Sequence, residues 1–241
     1  MSNIVTPIQE LIVTQDGSHS IVCKLHTDHQ SNEESYHSCY GAIQESLHIY
    51  IENGLIPLLN SRLSSLVVTE MGFGTGLNAL LTAIFASHSA FPIHFHTIEA
   101  FPIHQTLYEK LNYPALPLLK KMAPQLDLTS LFLSLHELPF NQTHHLTPYF
   151  SFTKYLGYFQ NFKPSFLSEL IYYDAFSPKF QPELWNEDAV RQISNLLKKP
   201  GRLVSYCAQG QFRRHLKAMG FLLPFTKGPF KKREITVGLI Q

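Results

Sequence analysis

Apolar positions along this chain fall into short blocks, and the spacing inside each block predicts its element. Residues 10–26 hold two blocks around Asp16-Gly17 and predict a β-hairpin, because an Asp-Gly pair tolerates the backbone of a tight turn. Residues 27–38 are polar and read as a loop. Tyr40 to Ile51 has helical spacing, with Asn53-Gly54 as its stop. Five apolar blocks then read as strands: Leu66–Met71, Ile93–Ile98, Leu131–Leu135, Leu170–Tyr173 and Leu203–Cys207. Helix-length segments separate them, which predicts a mostly parallel sheet covered on both faces. Phe221–Phe225 and Ile235–Leu239, joined by a basic Gly/Pro-containing link, predict an antiparallel pair at the sheet edge. Residues 139–166 show no clear period and receive no assignment.

The first of the five strands ends in the most informative stretch, Glu70-Met71-Gly72-Phe73-Gly74-Thr75-Gly76-Leu77-Asn78, and a helix-like segment, Ala79 to Ala86, follows. A strand feeding a glycine turn at a helix N-terminus is where α/β enzymes hold nucleotides. A dinucleotide fingerprint needs its third glycine at position 77, which is Leu77. Here the third glycine comes one residue early, and Glu70 sits two residues before the first. That form resembles the first motif of S-adenosylmethionine-dependent methyltransferases. With the strand order it gives an α/β, Rossmann-like class I methyltransferase fold: residues 61–241 as that domain, residues 1–60 as a hairpin-and-helix extension.

Ligands in such sheets bind beyond the carboxyl ends of the strands. Glu70, Gly72, Phe73, Gly74, Thr75, Gly76 and Asn78 are therefore candidate cofactor contacts. Glu99, after the second strand, is placed to accept ribose hydroxyls or to cap a helix. After the third strand an acid or Asn is expected against an adenine amino group; the chain offers Ser134 or His136 instead. After the fourth come Asp174-Ala175-Phe176-Ser177-Pro178 and Gln181-Pro182-Glu183-Leu184-Trp185. An acid directly after an apolar strand, followed by a proline-stiffened loop, suits catalysis, and Asp174 is the candidate. Phe176 could stack on a base; Trp185 reads as core. Cys207 has no His or Asp at a fixed spacing and reads as a buried structural thiol.

Charge adds a partner. Residues 1–188 hold 8 Lys/Arg against 17 Asp/Glu, whereas residues 189–233 hold 11 Lys/Arg and no acid. A segregated basic region is the footprint of a polyanion partner, or else a solvated face that offsets the acidic remainder. Three cysteines without CxxC spacing argue against a disulfide framework or a zinc site, and no histidine pair has a recognised metal spacing. The expectation is no metal and a cytoplasmic location. Met1 to Glu10 has no signal-peptide pattern, and no apolar run approaches the roughly 20 residues that span a bilayer.

Taken together, Tyr36-His37-Ser38 with Gly41-Ala42 and Glu45-Ser46, Glu70 to Asn78, Glu99 to Pro102, Asp174 to Trp185, Gly210 to Gly220, and Lys231-Lys232-Arg233-Glu234 with Gly238 resemble one family. It is the methyltransferase domain of the bifunctional enzyme that completes 5-methylaminomethyl-2-thiouridine in tRNA. The resemblance implies S-adenosylmethionine as donor and the tRNA anticodon region as partner. It implies methylation of the exocyclic amine of 5-aminomethyl-2-thiouridine at the wobble position. Asp174 would orient that amine; Phe176 and Pro178 would line the substrate side; Arg213, Arg214, Lys231, Lys232 and Arg233 would contact phosphates. Members commonly carry Gly-Asp near Leu133-Ser134, and this chain does not. Two-domain relatives add a flavin-dependent oxidoreductase; this chain stops at Gln241, so a separate oxidoreductase acting upstream is expected. A small-molecule N- or O-methyltransferase and a non-catalytic RNA-binding protein with a degenerate pocket are the alternatives.

Overall fold

The computed structural model describes residues 8–27 and 30–241. Strands β1 (Ile8–Val13), β2 (His19–Thr27) and β3 (Gln30–Ser35) form a separate antiparallel sheet. The Asp16-Gly17 hairpin forms as expected, with Val13 opposite His19 and the Asp16 carboxylate accepting the Ser18 amide at 3.0 Å. The expected loop over 27–38 is instead largely β3, apart from residues 28 and 29, which lie outside the described residues. Most of the signal-peptide reading, Met1 to Pro7, lies outside them as well.

Helix α1 (Ala42–Ser46) runs without interruption into a π-helical segment, Leu47–Leu55, and α2 (Ile56–Leu59). Gly54 does not stop it. A Cβ there would come within 3.0 Å of Val204 and 3.2 Å of Tyr172, so this glycine lets the helix lie directly on the sheet. Then follow β4 (Leu66–Met71), α3 (Leu77–Ser89), β5 (Ile93–Glu99), α4 (Gln105–Tyr108), α5 (Pro117–Met122), α6 (Leu128–Glu137), β6 (Thr143–Thr147), β7 (Phe150–Leu156), β8 (Ser168–Tyr173), α7 (Glu187–Asn195), β9 (Leu197–Ser205), α8 (Gly210–Ala218) and β10 (Thr236–Ile240).

The main sheet has the order β10-β9-β8-β4-β5-β7-β6. Its five central strands are parallel, and each edge strand is antiparallel to its neighbour. The third member of the parallel set is β7, not Leu131–Leu135. That segment lies in α6, where Leu128, Leu131, Phe132 and Leu135 repeat every three or four residues and are buried. Asp127 caps the helix by accepting the Thr129 and Ser130 amides. Phe221–Phe225 is not a strand either. It makes one isolated bridge, Leu222 to Leu239, with a second just beyond it from Thr226 to Ile235, while β10 pairs with β9.

Two cores cover the two faces. Leu170 and Tyr172 join α3, α6 and the π-helical segment on one side; Ile171 and Tyr173 join α7 and α8 on the other. This is the period-2 alternation of a strand buried on both faces. Among the described residues no helix is long and apolar enough to cross a membrane.

Candidate functional site

A cavity of about 350 Å³ opens at the carboxyl ends of β4, β5, β7 and β8. The glycine turn forms its floor. Gly72 and Gly74 have φ of +91° and +50°, and Gly76, at +75°, starts α3. A Cβ on Gly72 would meet the Asp174 carbonyl at 2.7 Å, and one on Gly74 the Tyr36 ring at 2.8 Å. Only glycine fits both the dihedral and the space. Thr75 is clamped from two sides: its hydroxyl lies 2.7 Å from His37 Nε2, and its carbonyl lies 3.2 Å from His136 Nε2. Burial pushes His37 down to about 4 and His136 to about 3, so both rings are neutral braces at neutral pH.

Gly72, Phe73, Gly74, Thr75, Asn78 and Glu99 face the cavity. Glu99 accepts the Gly74 amide at 3.0 Å and the Phe101 amide at 2.7 Å through different oxygens. Each oxygen keeps a lone pair for a hydroxyl donor. Glu70 does not face the cavity. It is 1% exposed beneath the turn and accepts the Thr97 hydroxyl at 2.8 Å. Burial, reinforced by Asp174, raises its carboxyl well above the ordinary range. Gly76 also lies behind the cavity wall, as the start of α3.

Asp174 sits at the head of the loop after β8. Its Oδ1 accepts the Tyr50 hydroxyl at 2.5 Å and its Oδ2 accepts the Asn78 amide at 2.8 Å. Burial pushes this carboxyl up to about 7, against the Tyr50 hydrogen bond and helped by the charge of Glu45. Tyr50 comes from the π-helical segment, whose wider turn delivers the hydroxyl across 124 residues of sequence. Among the described residues, Asn78 Oδ1 is buried without a hydrogen-bond partner. Tyr36 and Glu45, which the sequence marks only as part of the resemblance, line the cavity, as do Tyr50 and Tyr206, which only their position in the folded chain marks.

Ser134 does not reach this site. It lies in α6, where its carbonyl accepts the Leu138 amide, and it points at no part of the cavity wall. The segment beyond the third parallel strand is Gly157-Tyr158-Phe159-Gln160, and these four residues do line the cavity. The position after the third parallel strand, sought near Leu133-Ser134, is thus taken by Gly157-Tyr158.

Phe176 lines the cavity and packs edge-on to Tyr36, centroids 4.8 Å apart. Pro178 lies further along the loop, outside the wall. The buried Trp185 donates from its indole to the Phe176 carbonyl at 2.7 Å, so it is a brace within the core. Ser177 donates to Glu34 at 2.6 Å, tying this loop to β3. The basic residues divide. Lys232 reaches the cavity, 3.4 Å from Glu45 and 4.8 Å over the Tyr206 ring. Arg213 is paired with Glu234. Arg214, Lys231 and Arg233 are exposed outside.

The cavity is acidic inside. Glu34, Glu45, Glu99, Asp174 and Glu183 line it, and Lys232 is the one Lys or Arg among the described lining residues. A cationic ligand carrying a ribose fits this wall better than a pyrophosphate would. The positive-φ turn, the free lone pairs of Glu99 and this charge balance match the chemical features of S-adenosylmethionine.

Comparison with known proteins agrees with the geometry. A family described as S-adenosyl-L-methionine-dependent methyltransferases matches residues 157–241. A tRNA 5-methylaminomethyl-2-thiouridine biosynthesis bifunctional protein from Pseudoalteromonas atlantica is 26% identical over 231 residues, covering 86% of this chain and 31% of that protein. One from Magnetococcus marinus is 27% identical, covering 87% of this chain and 32% of its own length. The chain therefore spans about a third of the curated relatives it matches. The crystal structure of MnmC2 from Aquifex aeolicus superposes with a TM-score of 0.74 at 22% identity, covering 99% of this chain and 72% of that one. The chain has a Rossmann-like methyltransferase fold and resembles the methyltransferase part of the bifunctional 5-methylaminomethyl-2-thiouridine proteins.

Proposed function

We propose that this protein is an S-adenosylmethionine-dependent tRNA methyltransferase that converts the 5-aminomethyl group of wobble 2-thiouridine to 5-methylaminomethyl. The observation that carries the reading is a carboxylate, Asp174, held in an acidic cavity that Lys232 lines, with Lys231 and Arg233 exposed on either side of that lysine in the chain. Both reacting partners are cations on arrival, a sulfonium donor and a protonated amine, and both favour an acidic wall. The phosphates of the RNA that carries the amine favour the exposed lysines and arginines outside.

Gly72, Gly74 and Glu99 would hold the donor, with Glu99 on the ribose hydroxyls. Gly157 to Gln160 would face the adenine, in place of Ser134. When bound, S-adenosylmethionine supplies an electrophilic methyl group. Asp174 accepts a hydrogen bond from the incoming amine and fixes its direction; in-line transfer depends mainly on such positioning. A protonated amine has no lone pair, so a proton must leave before attack. A carboxyl near 7 can take it at physiological pH, which an ordinary aspartate does poorly. Tyr50 and Asn78 hold both carboxylate oxygens, so the group does not rotate away. Phe176 and Tyr36 would flank the extruded uracil.

Competition between acceptors tests this. Purified protein is given labelled donor with tRNA bearing 5-aminomethyl-2-thiouridine, or with small primary amines. Label in tRNA alone, lost after nuclease treatment of the substrate, supports the reading. Label in small amines with none in tRNA would make it a small-molecule methyltransferase. No donor binding at all would leave only an RNA-binding role.

A further inference from the structure

We propose that Tyr40, Phe230 and Lys231 form a stacking platform for an unpaired base of the RNA that neighbours the base entering the cavity; this rests on the tRNA reading above. Phe230 is 41% exposed at the tip of a loop and has a φ of +53°. A bulky residue in that region is an outlier that a surrounding structure must hold in place. Here the bridge between Thr226 and Ile235 closes the loop, and the Lys232 amide donates to the Pro229 carbonyl at 3.0 Å. The result is an aromatic ring presented outward rather than buried. Its neighbour is Tyr40, centroids 5.7 Å apart and 34° between planes, with Lys231 Nζ 5.5 Å over the Tyr40 ring.

Position and charge name the occupant. The next residue, Lys232, turns inward to the cavity, so the platform and the site are one residue step apart. Lys227, Lys231 and Arg233 are exposed on the same loop, and none is in an ion pair among the described residues. Aromatic faces flanked by unpaired cations suit a single-stranded polyanion whose bases are unstacked. Every base has a π-face, so the platform would grip the loop without reading its sequence.

The experiment uses the full chain and an unmodified RNA stem–loop with 2-aminopurine beside the target uridine. Wild-type protein should quench the probe on binding. Phe230→Ala and Tyr40→Ala should each weaken RNA binding about ten-fold, with an unchanged salt slope and no quenching. Phe230→Trp should restore both. Lys231→Ala should reduce the salt slope by about one. Donor binding, measured by calorimetry, should match wild type in all four, which confirms folding. If wild type binds the RNA and Phe230→Ala binds it equally with the probe still quenched, the platform is overturned. If wild type binds no RNA, the tRNA reading fails and the platform with it.

Discussion

Replacing Asp174 by Asn should make the protein more stable and less active. The carboxyl titrates near 7 in the fold against 3.8 in its ordinary environment, a gap of about three units. At 1.36 kcal/mol per unit the ionised group costs up to about 4 kcal/mol above pH 7, and solvent screening at the open cavity halves this to about 2 kcal/mol. A raised carboxyl pKa favours folding below the unfolded pKa, and that advantage is lost as pH rises through 7. Asn carries no charge at any pH and escapes the loss. It also keeps the contacts: its oxygen can accept from Tyr50, and its amide can donate to Asn78 Oδ1, which has no partner, once that side chain flips. Denaturant titrations of both proteins at pH 4 to 8.5 measure the difference. Asp174→Asn should gain about 2 kcal/mol at pH 8, or roughly 4–8 °C in Tm, and lose the gain towards pH 4. Methyl transfer should fall at least a hundred-fold on general-base grounds. A variant less stable at pH 8, or a difference independent of pH, would refute the burial argument.

Three other outcomes follow from the same geometry. Activity per bound substrate should rise with pH through about 7 as Asp174 ionises, and a flat rate profile from pH 6 to 8 would count against its role in proton removal. Glu99→Ala removes the acceptor of two amides and the expected ribose contact, so donor affinity by calorimetry should drop at least about ten-fold, the scale of one charged hydrogen bond. Gly74→Ala forces a side chain into positive φ and into the Tyr36 ring, and thermal melts should show a loss of about 1–3 kcal/mol; an unchanged melt would mean the turn relaxes freely.

The glycine turn, Glu99 and Asp174 were legible because each stands at the carboxyl end of a strand whose apolar positions stop there. The third strand was not. In β7, Ser151, Thr153 and Lys154 are buried along with Phe150 and Phe152, so a core strand carries polar letters. Lys154 is there because its ammonium caps α6, donating to the Leu135 and His136 carbonyls. Leu131–Leu135 looked like a strand because five residues are too few to separate helical from extended spacing; Leu128 resolves it. That error carried Ser134 into the site and left Gly157-Tyr158 out. Tyr50 was invisible for another reason: its hydrogen bond to Asp174 spans the chain, and a π-helical turn sets its direction. The basic segment read as one surface, yet Glu234 neutralises Arg213 and Lys232 turns inward.

Nucleoside mass spectrometry tests the central claim most directly. Unmodified and 5-aminomethyl-2-thiouridine-bearing tRNAs are incubated with trideuteromethyl-labelled S-adenosylmethionine and either wild type or Asp174→Asn, then digested. Deuterated 5-methylaminomethyl-2-thiouridine should arise only from the aminomethyl tRNA with wild-type protein. Label in another nucleoside, or full product from Asp174→Asn, would contradict it.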